Sequence, residues 1–134
     1  MTRRPNQYMQ ENWGPFVFDY AQLTATTAYV VFKAPYAMTI DEIENHNVTG
    51  LAVHADNNFK CVVTKTGGGV MATVFDTDAD DGAAVAADTF QGSVALGTEA
   101  LRTLAAGDVV TATFTEEGTA TLPAGRLVFR GRRV

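Results

Sequence analysis

From Phe16 onward the chain alternates apolar and polar residues in short runs divided by turn residues, the two-residue period of strands with one buried face. FVFDY opens this region and TTAYVVFK follows up to Lys33, both rich in β-branched and aromatic residues. Pro35 interrupts, and a third strand is predicted around Ala37 to Ile43, with Met38 and Ile40 on one face and Thr39 and Asp41 on the other. ENHNVTGLAVHADNN then reads as a segment that changes direction twice. Phe59, Cys61 and Val63 alternate with Lys60, Val62 and Thr64, and Val70, Ala72 and Val74 with Met71, Thr73 and Phe75. Gly67-Gly68-Gly69 between them marks a hairpin tip with positive-φ positions available.

The insertion DTDADDGAAVAADTF carries no strand signal, and its Ala83 to Ala87 portion fits one helical turn or a loop. Val94 to Leu96 reads as a short strand, while Ala100 to Leu104 fits either a strand or a helical turn. The clearest strand follows Gly107, where Val110, Ala112 and Phe114 face one way and Thr111, Thr113 and Thr115 the other. Glu117-Gly118 turns the chain, Thr119 to Leu122 is predicted as a further strand, and Leu127 and Phe129 line the last inner face. About eight short strands with no helix of ten residues predict an all-β fold, an antiparallel β-sandwich or jelly roll.

Residues 1–15 differ in character. They are polar, hold Pro5, Gly14 and Pro15 and show no periodicity, yet carry Tyr8, Met9 and Trp13. The segment reads as an extended N-terminal arm before a single domain at 16–134. Because disordered segments are poor in aromatics, these side chains are expected to dock, on their own domain or on a neighbour.

Length and composition change this picture little: 134 residues with 46% hydrophobic content suit one domain with a sizeable core. Charge changes it more. The net charge of -5 argues against nonspecific nucleic-acid binding, which clustered Lys and Arg would supply. Basic residues gather at Arg3, Arg4, Arg126, Arg130, Arg132 and Arg133, whereas Lys65 to Arg102 encloses only acids, so two electrostatically different regions are expected. The lone Cys61 excludes an intramolecular disulfide. No apolar run follows the early arginines, so neither signal peptide nor membrane span is expected.

No chemistry-bearing motif survives inspection. Asp76, Asp78 and Asp80 match the first three carboxylate positions of a calcium loop, but Asp81 and Ala87 stand where its Gly and Glu belong, so Asp76 to Asp81 reads as a solvated acidic loop. His46 and His54 alone make no zinc site. Ser93 and Cys61 lie in no nucleophile motif. The expectation is no catalytic residue, no metal and no cofactor.

VVFKAPYAMTIDEI, the Gly/Thr/Ala-biased run LAAGDVVTATFTEEGTATLPAG and the apolar-studded arm together resemble the small β-sandwich decoration or head-fibre proteins of tailed bacteriophages. That resemblance implies a non-enzymatic virion protein on the outer capsid surface, assembled in the host cytoplasm, commonly a homotrimer that cements the major capsid protein. Together with the charge and the missing apolar run, the expectation is no membrane and no nucleic-acid partner. Arg3, Arg4, Tyr8, Trp13, Phe16, Arg130, Arg132 and Arg133 are then the expected capsid-facing residues. The alternative is a carbohydrate- or receptor-binding sandwich module of a tail or head fibre, which would present coplanar exposed rings from among Trp13, Tyr20, Tyr29 and Tyr36. A jelly-roll hydrolase with sites between subunits is a third reading, for which no Asp-rich or Ser-rich strand-end motif is found.

Overall fold

The computed structural model describes residues 12–134, with side chains from residue 15 onward. Among the described residues the chain is all-β, with one four-residue helix. Its strands are β1 (Asn12–Tyr20), β2 (Thr27–Lys33), β3 (Met38–Asn47), β4 (Asn58–Lys65), β5 (Val70–Asp76), β6 (Thr89–Gly92), β7 (Ala95–Leu96), β8 (Thr103–Leu104), β9 (Val109–Glu117) and β10 (Gly125–Arg133). The helix α1 (Glu99–Arg102) lies between β7 and β8.

Two antiparallel sheets result, consistent with a β-sandwich. One has the order β1-β10-β3-β6, with β8 also pairing β3, and the other the order β2-β9-β4-β5-β7. The first strand pairs the last (Phe18 with Leu127), β2 pairs β9 (Tyr29 with Ala112), β3 pairs β6 (Asn45 with Gln91) and β4 pairs β5 (Cys61 with Phe75). The pairing is therefore nested. The β10·β3 and β9·β4 ladders join these pairs into sheets.

Alternation explains the core. In β9 the inner residues Val110, Ala112 and Phe114 are fully buried while Thr111, Thr113 and Thr115 face outward, as their spacing predicts. Leu127 and Phe129 line the inner face of β10. Aromatic rings bridge the sheets: Phe32 meets Phe129 edge-on at 5.5 Å and Phe16 at 5.3 Å, and Phe114 sits 4.7 Å from Tyr20, while within its own sheet Phe114 lies 6.0 Å from Tyr29. Such tilted and edge-to-face contacts add to the area buried.

Several elements depart from the sequence reading. β1 begins at Asn12, so residues 12–15 of the expected arm are strand, with Asn12 and Trp13 paired to Arg132 and Gly131 before a register shift, and the rest of the arm lies outside the described residues. β3 runs on through Glu44–Asn47, because β10 and β6 pair it on both sides there. Thr39, on the face opposite Met38 and Ile40, is buried as they are; β8 pairs β3 edge to edge there, and the Thr103 hydroxyl lies 3.0 Å from its own. In β5 Met71, Ala72, Val74 and Phe75 are all buried, because two register shifts against β4 break the two-residue period. Thr119–Leu122 is no strand; only Leu122 bridges, to Leu23. β6 emerges from the insertion, and the Ala100 to Leu104 stretch divides into the end of α1 and β8.

Replacing Phe129 or Phe114 by Ala is expected to cost about 3–5 kcal/mol in denaturant unfolding, since each is fully buried between the sheets. Val30→Ala, on the outer face of β2 and 68% exposed, should stay within about 0.5 kcal/mol.

Candidate functional site

Antiparallel strands place their ends at two opposite poles, and charge divides between them. At one pole lie the start of β1, the ends of β2, β4 and β10, and the starts of β3, β5 and β9. Among the described residues this pole carries Lys33, Lys65, Arg102, Arg132 and Arg133 against Asp41, Glu99 and Asp108. Among the described residues the opposite pole carries nine carboxylates, those of Asp19, Asp56, Asp76, Asp78, Asp80, Asp81, Asp88, Glu116 and Glu117, against Lys60 and Arg126. The segregation along the chain thus becomes a polarity along the strand axis.

The cationic pole is a tied structure rather than a loose tail. Arg132 contacts Asp41 at 2.8 Å and Glu99 at 3.3 Å, joining β10 to β3 and α1. Arg133 lies over the Tyr36 ring at 4.7 Å. Arg102 donates to the carbonyls of Gly97 at 2.8 Å and Ile40 at 2.6 Å, and Lys65 donates to Ala100 and Thr103 carbonyls. These side chains hold α1 where neither β6 nor β8 reaches β3. In that gap the Ser93 hydroxyl donates to Ile43 O, and a hollow of about 240 Å³ is lined by Asp41, Glu42, Glu44 and Leu96. Midway along β10, Arg130 is held by Glu42 and Glu44 on β3; the hydrogen bond to Glu44 raises its pKa.

At the anionic pole the acids order their own loop. Asp78 N donates to Asp76 Oδ1 and Asp80 N to Asp78 Oδ1, the local bonds that Asp offers in turns. His54 Nδ1 accepts from Asp56 N and Asn57 N, which fixes that imidazole as a loop cap. His46 Nε2 lies 3.0 Å from Asp88, and the imidazole stacks on Phe90. No group of three or more His, Cys, Asp or Glu side chains among the described residues converges as a metal site.

Beneath this pole Tyr20 donates to Asn45 Oδ1 at 2.6 Å, and Asn47 bonds Pro123 O and Gly50 N. Gly125 lies over this group, and a Cβ there would approach the Tyr20 hydroxyl to 2.6 Å and His46 O to 2.7 Å. Burial pushes the Tyr20 phenol and the Cys61 thiol far above their ordinary pKa values.

Of the residues expected at a partner interface, Arg3, Arg4 and Tyr8 lie outside the described residues, and Trp13 is placed only by its pairing with Gly131. That pairing brings Trp13 to the same pole as Arg132 and Arg133. Phe16 packs against the core through Phe32 and Phe129 instead of pointing outward. Of the rings expected in a glycan platform, Tyr20 is buried, Tyr29 packs on Phe18 and Phe114, and Tyr36 lies under Arg133. Among the described residues the exposed ring is Phe90, which sequence reasoning missed because β6 carried no strand signal. No family model, curated protein or solved structure matches the chain.

Two outcomes are expected. Arg102→Ala leaves the Ile40 and Gly97 carbonyls without their donor and should lower unfolding free energy by about 1–3 kcal/mol. Both Tyr20 and Cys61 keep their protons in the folded state at a pH where the unfolded chain releases them. Their contribution is therefore complete below about pH 8.5 and falls as pH rises through the ordinary thiol and phenol values of about 8.5 and 10. Urea midpoints from pH 7 to 11 should decline, less steeply in Cys61→Ala.

Proposed function

We propose that this chain is a non-enzymatic structural protein that decorates or cements the outer surface of a tailed-bacteriophage capsid, acting as a homotrimer on the major capsid protein. The observation that carries the reading is the axial charge polarity. A protein standing on a shell needs one pole for contact and one that stays hydrated, and the chain divides its charge that way. Arg132, Arg133 and the strand start at Asn12 share one pole, so the arm with Arg3, Arg4 and Tyr8 is attached beside them. In this reading that pole faces the shell.

The finer form of the fold belongs to the same proposal. Eight principal strands paired first with last and second with next to last have the strand order of a jelly roll, an architecture used in viral capsids. A truncation that leaves β1 intact removes residues 1–11 rather than 1–15.

Light scattering on the eluting full-length protein should give three times the 14.3 kDa chain mass; a monomer in the presence and absence of capsid would overturn the trimer. In co-sedimentation with capsids of the phage that encodes the chain, Arg132→Ala with Arg133→Ala should weaken binding about tenfold or more. Asp80→Asn with Asp81→Asn should leave it unchanged. Equal effects from the two poles, or binding by neither protein, would overturn the assignment.

A further inference from the structure

The outer face of the β1-β10-β3-β6 sheet carries, at the anionic pole, one residue from each strand in a single transverse row. Asp19 is in register with Arg126, Arg126 with His46, and His46 with Phe90. Beside this row opens a hollow of about 240 Å³, lined by Asp19, Tyr20, His46, Val48, Gly125 and Arg126. We propose that this row and hollow bind a neutral saccharide.

Three features select that ligand class. First, Phe90 is 55% exposed and its ring stacks on His46, with centroids 4.6 Å apart and planes 29° from parallel. An aromatic face held flat by a second ring suits the C–H face of a pyranose, and Val48 adds an exposed apolar wall. Second, hydrogen-bonding groups stand ready beside that face. Arg126 approaches Asp19 through Nε at 3.5 Å, so its terminal nitrogens and the second Asp19 oxygen face no other hydrogen-bond partner among the described residues. A guanidinium and a carboxylate side by side offer donors and acceptors to adjacent hydroxyls, and small polar sets of this kind orient ligands in shallow sites.

Third, charge rules on the ligand's own charge. Arg126 is matched by Asp19 and His46 by Asp88, so the row holds no surplus cation for an acid. The carboxylates of the surrounding pole repel anions over a Debye length of about 8 Å at physiological salt. A neutral polyol meets neither obstacle. The backbone under the row is firm: Tyr20 and Asn45 hydrogen-bond beneath it, and Asp88, at φ 47, is pinned by its N–H to Asn47 O at 2.8 Å. The site stands at the pole opposite Arg132 and Arg133, so it does not depend on the capsid reading.

The test is a titration of the ¹⁵N-labelled full-length protein with methyl α-mannoside, methyl β-galactoside, methyl β-glucoside and N-acetylglucosamine, with N-acetylneuraminic acid as the anionic comparison. At least one neutral probe should give saturable amide shifts at Asp19, His46, Phe90 and Arg126. Phe90→Ala and Asp19→Asn, both at exposed side chains, should each weaken that binding about tenfold with the remaining spectrum unchanged. The proposal fails if no neutral probe gives saturable shifts there, if both variants bind as tightly as the parent, or if N-acetylneuraminic acid binds as tightly as the neutral probes.

Discussion

Burial of two aromatic clusters between the sheets is the constraint from which the other features follow. Phe129, Phe32 and Phe16 meet toward one pole, and Phe114, Tyr20, Tyr29 and Phe75 toward the other. Rings from β1 and β10 therefore have to oppose rings from β2, β5 and β9, which fixes how the sheets lie on each other. Once they are fixed, strand ends fall at two poles and the charges near those ends separate in space. The polarity is thus a by-product of where the apolar residues sit.

At the anionic pole the packing turns polar. Tyr20, Asn45 and Asn47 are buried, and the Nδ2 of Asn45 has no partner among the described residues. A buried amide group left unpaired opposes folding, yet the same trio ties β1, β3 and the Pro123 turn into one unit. Gly125 lets the strands close over it, since any larger residue would meet the phenol and the His46 carbonyl. Stability is spent here on fixing the backbone under the Asp19 to Phe90 row.

Much of the fold was legible where one face of a strand is apolar and the other polar. VVTATFT and the Phe59 to Phe75 hairpin announced themselves by alternation, and the Gly67-Gly68 tip does adopt positive φ. β6 was not legible, because TFQG has one apolar side chain and pairs on one side only, so tertiary contact with Glu44–Asn47 makes it a strand. The burial of Thr39 was not legible for a related reason: its cross-strand partner Thr103 lies in a two-residue strand distant in sequence. The segregation of charge could be read along the chain, but its geometry required the register. The transverse row joins four strands whose members lie far apart in sequence, and no local pattern encodes such a set.

Nested pairing also governs when the chain can fold. β10 is the inner strand between β1 and β3, and both of those neighbours are made before it. As the polypeptide leaves the ribosome, β1 and β3 have no ladder with each other and their apolar faces stay open until residues 125–133 have emerged. Folding of that sheet is accordingly a late event dominated by long-range closure, slow compared with helical proteins of equal size, and the nascent chain is exposed to association throughout synthesis.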